Sequence, residues 1–300
     1  MKLVASFNKI KEMIHPSELV LNKNGSIYHL NLHPNEIASK IIVVGDPGRV
    51  ASISEKFDKI DYKAENREFV THTGTFNGQQ VSVVATGIGT DNIDIVLNEL
   101  DALVNVDLEK RTVKPELKSL EIVRIGTCGS IQEDIPADEI VVSSHAIGLD
   151  GLLHFYQFKA NSSEKELIRA FASQTNWDAA LNQPYLVEGS KNLVSKIGKG
   201  YHKGITITAN GFYAPQGRAI RIKPAFPDIN ERLRKFEFEG TRIINYEMET
   251  SALYGLSKLM GHEACTVCAV VSNRYANSFS KNYHPVMDQL IEEVLERLTN

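Results

Sequence analysis

Cysteine is scarce in this 300-residue chain. Cys128, Cys265 and Cys268 are all it has, too few and odd in number for a disulfide framework. Cys265 and Cys268 form a C-x-x-C, but it sits inside the β-like run ACTVCAVVSN, where residues three apart point to opposite faces of a strand. No second C-x-x-C and no finger-spaced histidines accompany it, so buried structural thiols are expected over a zinc or redox centre. Long apolar runs are missing too. None approaches the roughly 20 residues that span a bilayer, which excludes a membrane-embedded role. The N-terminal MKLVASFNKIKEMIH breaks its short apolar patches with lysines and lacks the core of a secretory leader; the cytoplasm is the expected compartment. Nor is positive charge in excess: 33 Lys and Arg stand against 37 Asp and Glu, a formal charge of -4. A general basic field for gripping nucleic acid is thereby excluded. Any anion the protein binds must be gathered by local clusters.

What is present is an ordinary globular balance, 42% hydrophobic and 23% charged. Short β-branched runs recur at 41–45, 80–86, 120–126, 138–144, 204–210, 242–247 and 264–273, with helical patterns among them. Residues 285–298 put Val286, Met287, Leu290, Ile291, Val294, Leu295 and Leu298 on one stripe, and Pro285 suits the first turn. A second helix is expected over 248–260, ended by Gly261. Strands alternating with helices imply an α/β fold, its parallel or mixed sheet covered on both faces. No Pro/Gly/Ser linker or internal repeat divides the chain. One domain is expected over residues 26–300, with 1–25 as a peripheral extension and 109–119 as a solvated connection.

Six segments carry chemistry. GDPGRV (45–50) follows a hydrophobic strand, and Gly45 and Arg49 could offer a phosphate an open amide and a charged fork; the plain alternative is a strand-ending turn with a surface arginine. It is neither a Walker loop nor a G-x-G-x-x-G fingerprint. RIGTCGS (124–130) places Arg124 in an otherwise apolar strand, where a guanidinium needs an anion or a carboxylate to meet it, and Thr127 adds a hydroxyl. ATGIGTDN (85–92) is another strand entering a glycine turn before a helix. Three such turns are expected to gather at one end of the sheet, where open α/β sheets place ligands. NYEMETS (245–251) sets Glu247 and Glu249 at a strand-to-helix junction. Two carboxylates there can receive the hydroxyls of a vicinal diol, or can serve as helix N-terminal acids favoured by the macrodipole. Last, FYAPQGR (212–218) and SNR (272–274) hold a glutamine able to pair with an imide edge, an arginine for a carbonyl and an aromatic ring for stacking; by itself this reads as an irregular loop.

In this order the segments resemble the nucleoside phosphorylase family, and within it the uridine phosphorylases, over about residues 27–298. The resemblance implies a mixed central sheet, partly closed into a barrel and flanked by helices, in dimers that combine into hexamers. It implies a phosphate site of Gly45, Arg49, Arg124 and Thr127, completed by Arg67 from the neighbouring subunit. Thr127, Glu247, Met248 and Glu249 become the ribose partners, with His29 reaching the neighbour's ribose. Phe212, Gln216, Arg218 and Arg274 become the base partners. Some relatives hold a monovalent cation, potassium in type, at the dimer interface; Glu68 and Ile88 match that site, and Asn92 replaces a small hydroxyl residue. Purine-type relatives carry a Ser-Asp pair where this chain has Ser272 and Asn273. Asparagine supplies no acidic proton, which disfavours purine chemistry. After QGR the chain departs from the family's acidic turn and reads AIRIKPAFP.

The implied reaction is phosphorolysis of uridine or another pyrimidine nucleoside, with inorganic phosphate as co-substrate and no organic cofactor. In it Arg124, Arg218 and Glu249 act on phosphate, base and sugar. A hydrolytic nucleosidase and a non-catalytic nucleoside-binding protein on the same scaffold are the competing readings.

Overall fold

The computed structural model describes residues 13–300. The strands are β1 (Lys40–Val44), β2 (Lys59–Asn66), β3 (Phe69–Phe76), β4 (Gln79–Ala85), β5 (Val106–Asp107), β6 (Thr112–Val113) and β7 (Glu121–Ser130). They continue with β8 (Ile140–Gly148), β9 (Tyr185–Glu188), β10 (His202–Thr208), β11 (Glu237–Phe238), β12 (Thr241–Glu247), β13 (Glu263–Asn273) and β14 (Ser278–Phe279). The α-helices are α1 (Gly48–Ser54), α2 (Thr90–Asn105), α3 (Ser162–Gln174), α4 (Lys191–Ile197), α5 (Ile229–Arg234), α6 (Thr250–Met260) and α7 (His284–Thr299).

Twelve strands form one mixed sheet in the order β11-β12-β10-β8-β13-β7-β1-β4-β3-β2, with β14 on β13 and β9 on β8. A further pairing of β12 with β7 closes β7, β13, β8, β10 and β12 into a ring. The expected partly barrel-like α/β domain is therefore observed, and β7 is what makes it. Its first half runs parallel to β1 as far as Arg124, while its end pairs with β12 through Gly129 and Ser130. Arg124 thus stands at the fork between open sheet and barrel, the kind of switch point where α/β sheets open a crevice.

The apolar periodicities become buried faces. In α7, Leu290, Val294, Leu295 and Leu298 are fully buried against Ile42, Val44, Val123 and Cys265, each leucine stabilising the fold by about 1.5–3 kcal/mol. Helices α2 and α6 cover the other face, around Ile41, Val43, Leu97 and Leu253. The expected helix at 248–260 begins two residues later, at Thr250, and ends on Gly261 in the left-handed conformation, φ 80°. The three thiols are free and buried; Cys265 enters the α7 side of the core and Cys268 the barrel interior with Cys128. Of the expected extension, residues 1–12 lie outside the described residues. Within its described part, Leu19 is buried in the core and its carbonyl accepts from Arg111 at 2.6 Å.

Candidate active site

Strands β4, β1 and β7 are parallel neighbours, so the turns after β1 and β4 come together beside Gly126; the third expected turn is absent, because β7 continues as strand through Gly126 and Gly129 to Ser130. A Cβ built on Gly45 would lie 3.4 Å from the Gly87 carbonyl oxygen, which measures how closely the first two turns approach. Just beyond them a cavity of about 450 Å³ opens, and Gly45, Arg49, Arg124, Thr127, Phe212, Gln216, Arg218, Glu247, Met248 and Glu249 all line it. Phosphate, sugar and base candidates drawn from separate segments thus share one cavity.

Arg49 reaches the cavity from α1 and donates to the Ile125 carbonyl at 3.3 Å. Burial, opposed by Asp46 and reinforced by Arg124, pulls its guanidinium below the ordinary arginine range. Arg124 is 4% exposed and folds back along its own strand over Gly126. A side chain at Gly126 would overlap the guanidinium, so glycine is required by close approach. Of the two partners expected for Arg124, an anion or a carboxylate, carboxylates are observed. Its Nη2 pairs with Glu249 Oε2, and its Nη1 stands 3.5 Å from Glu247 Oε2, while Nε is buried without a protein partner. Burial works against its charge, but Glu249 and Glu247 overcome that and hold it raised.

The two acids differ. Glu247 Oε2 accepts from the backbone N–H groups of Glu249 and Thr250 at 2.8 and 2.9 Å, and its Oε1 from the Thr208 hydroxyl at 2.6 Å. It caps the start of α6, the bland reading of that residue. Glu249 Oε1 accepts from the Gly89 amide at 2.9 Å and its other oxygen meets Arg124, so of the two acids that line the cavity it keeps the more acceptor capacity.

On the opposite wall, Gly217 takes the left-handed conformation, φ 68°, and turns Gln216 and Arg218 inward. Arg218 Nη1 donates to Gln216 Oε1 at 2.5 Å and to the Phe212 carbonyl at 2.7 Å, and its guanidinium stacks 3.8 Å from the Phe212 ring centre. Burial and the neighbouring Arg274 pull Arg218 down to about 10. Arg274 lies behind the wall, its backbone N–H on Ser130 and its Nε buried without a partner. Sequence reasoning missed Tyr246 and Phe279, which also line the cavity. Tyr246 carries a buried, unpartnered hydroxyl and adjoins the acidic segment, a usable signal; Phe279 arrives on β14 and gave none.

Two expected residues stand elsewhere. His29 pairs through Nδ1 with Glu99 at 2.7 Å, and Arg67 donates to the Tyr28 hydroxyl at 3.3 Å. They lie near each other and line no part of this chain's cavity. Of the cation candidates, the Glu68 and Asn92 side chains both pack against Gly87, and Ile88 is 66% exposed at the cavity edge.

Residues 39–299 match the family described as the phosphorylase superfamily. The chain is 31% identical over 260 residues to the uridine phosphorylase of Thermococcus kodakarensis, covering 86% of this chain and 82% of that protein. It is 31% identical over 255 residues to the uridine phosphorylase of Escherichia coli, covering 83% and 86%. Among solved structures it is similar to a Trypanosoma brucei nucleoside phosphorylase described as showing uridine phosphorylase activity, with a TM-score of 0.85, 32% identity, and 94% and 99% of the two chains covered.

Proposed function

The chain belongs to the phosphorylase superfamily, and from that premise we propose that it splits uridine with inorganic phosphate into uracil and ribose 1-phosphate. The C1′–N1 bond breaks, a phosphate oxygen bonds to C1′, and the proton lost by the phosphate ends on uracil. One observation carries this reading: Arg49 and Arg124 meet Glu249 on one side and Gln216 and Arg218 on the other, in a single cavity. Positive charge develops on the ribose and negative charge on the departing base. The phosphate dianion held by the arginines faces the first, and Arg218 receives the second. Glu249 and Met248 hold the sugar so that C1′ meets the phosphate. A hydrolase would have no use for the arginine pair at the glycine turns.

The same reading extends to assembly. Arg67 adopts a left-handed backbone, φ 56°, which costs a non-glycine residue about 1–2 kcal/mol. Retaining arginine there supports a use for its side chain, and in a homodimer or a hexamer of dimers Arg67 and His29 complete the neighbour's site. A potassium-type cation near Glu68, Ile88 and Asn92 would lie beside that shared site. Residues 26–300 make up the catalytic domain in this reading, and the cytoplasm, in nucleoside salvage, is the compartment that fits it. No described helix is long and apolar enough to cross a membrane.

Release of the free base measured spectrophotometrically from uridine, thymidine and inosine, with and without phosphate, tests the proposal. Phosphate-dependent cleavage of uridine is expected. Equal cleavage in phosphate-free buffer, or none at all, defeats it.

A further inference from the structure

The S-N-R bend at the end of β13 is where purine-type chemistry would enter, and its two candidate side chains point in different directions. The register of β13 against β7 shifts between Val270 and Ser272, and an irregularity of this kind re-aims the side chains that follow it. Asn273 is turned away from the cavity. Its Nδ2 donates to the carbonyls of Gln132 and Ile135 at 2.8 and 2.9 Å, and its Oδ1 accepts from the Ala276 amide at 2.7 Å. Its whole amide is spent on stapling two loops. Ser272 instead lines the cavity, is 5% exposed, and its hydroxyl has no protein partner. A buried hydroxyl without a partner is disfavoured unless a ligand supplies one. Opposite it in register stands Gly129, where a Cβ would lie 2.9 Å from Ser272 Oγ and 3.8 Å from Arg218 Nη2. Hydroxyl and guanidinium therefore open onto one floor, and that floor is kept clear by a glycine.

We propose that Ser272 is a specificity-determining residue for the base. Its hydroxyl hydrogen-bonds the polar edge of the pyrimidine beside Arg218, while Asn273 is scaffold and touches no substrate. The inference rests on the phosphorolysis reading and assigns the base contact within it. Arg218 and Arg274 can only donate, and Gln216 Oε1 already accepts from Arg218; Ser272 adds a group that can donate or accept. An acid cannot be delivered to the base by changing Asn273, because Asp there would set a carboxylate oxygen against two carbonyls.

Calorimetric binding of uracil and steady-state kinetics on wild type, Ser272→Ala and Asn273→Asp test this, with Asn273→Ser as a milder companion. Ser272→Ala is expected to weaken uracil and raise the uridine KM roughly five- to tenfold, with the phosphate KM unchanged and Tm not lowered. The Asn273 variants are expected to keep the wild-type uracil Kd, to lose Tm, and to cleave no inosine. An unchanged uracil Kd in Ser272→Ala overturns the proposal, as does uracil weakening in the Asn273 variants equal to that in Ser272→Ala, or inosine cleavage by Asn273→Asp. Weakened uracil binding in Ser272→Ala, in a protein that releases no uracil with phosphate, would defeat the reaction and leave the Ser272 contact standing.

Discussion

Replacing Arg124 with alanine should separate its two tasks, because the structure assigns each a different magnitude. Arg124 is the partner of two carboxylates exposed by 4% or less at their side chains. Removing one member of a buried pair costs about 3–5 kcal/mol. At roughly 2.1 cal/mol/K per residue, 300 residues give an unfolding entropy near 0.6 kcal/mol/K, so Tm should fall by about 5–8 °C. The unpartnered Nε is the group left for phosphate. Loss of a hydrogen bond to a charged group is worth about 1.5–3 kcal/mol, or roughly 10- to 150-fold in the phosphate KM. The uridine KM should move less, since Glu249 keeps its Gly89 amide. The control is Arg124→Ala combined with Glu249→Gln, which removes one of the orphaned charges. It should recover part of the Tm while leaving phosphate affinity lost. Scanning fluorimetry and phosphate titrations at saturating uridine read both effects. A variant that loses Tm but keeps its phosphate KM would refute the reasoning and reduce Arg124 to a structural ion pair.

Gln216→Ala should raise the uridine KM roughly three- to tenfold, because Arg218 loses the acceptor that orients it; the phosphate KM should stay unchanged, and a parallel rise in both would contradict the division of the cavity. At phosphate near the wild-type KM, Arg67→Ala and Arg124→Ala should each be nearly inactive alone but complement when co-assembled. Random dimers would be half mixed, each with one intact site, restoring roughly a quarter of wild-type activity. No recovery in mixed assemblies would mean that Arg67 serves no neighbour.

Much of the fold was readable because periodicity maps onto burial. The α7 stripe, the β-branched runs and the glycines that follow β1 and β4 each state a local preference that the packing keeps. Ring closure was not readable from such patterns. The β7–β12 pairing rests on Gly129 and Ser130 meeting Tyr246 and Asn245, a long-range match with no periodic signature, and only the family resemblance anticipated it. Residue type indicated that a buried guanidinium and paired acids need partners; that Gln216 and Arg218 join them in one site was implied by the family resemblance. Which oxygen meets which nitrogen depends on directions that composition does not encode.

Glu247 and Glu249 show where residue type stops. They are two residues apart, chemically alike, both nearly fully buried and both on the cavity lining, yet one closes the amides that open α6 and the other meets Arg124 and the Gly89 amide. The distinction comes from strand alternation ending at Glu247: its side chain follows β12 to Thr208, while Glu249 lies past the strand, where the chain is turning into the helix. Ser272 and Asn273, neighbours at the end of β13, point to opposite faces as strand alternation requires; the register shift just before them bears on which of the two meets the cavity. Both pairs sit where a strand ends beside the cavity. There the sequence does not say which face is the cavity's. A specificity inference drawn from the identity of residue 273 alone therefore weighs the side chain that the bend turns outward, and the test belongs on its neighbour.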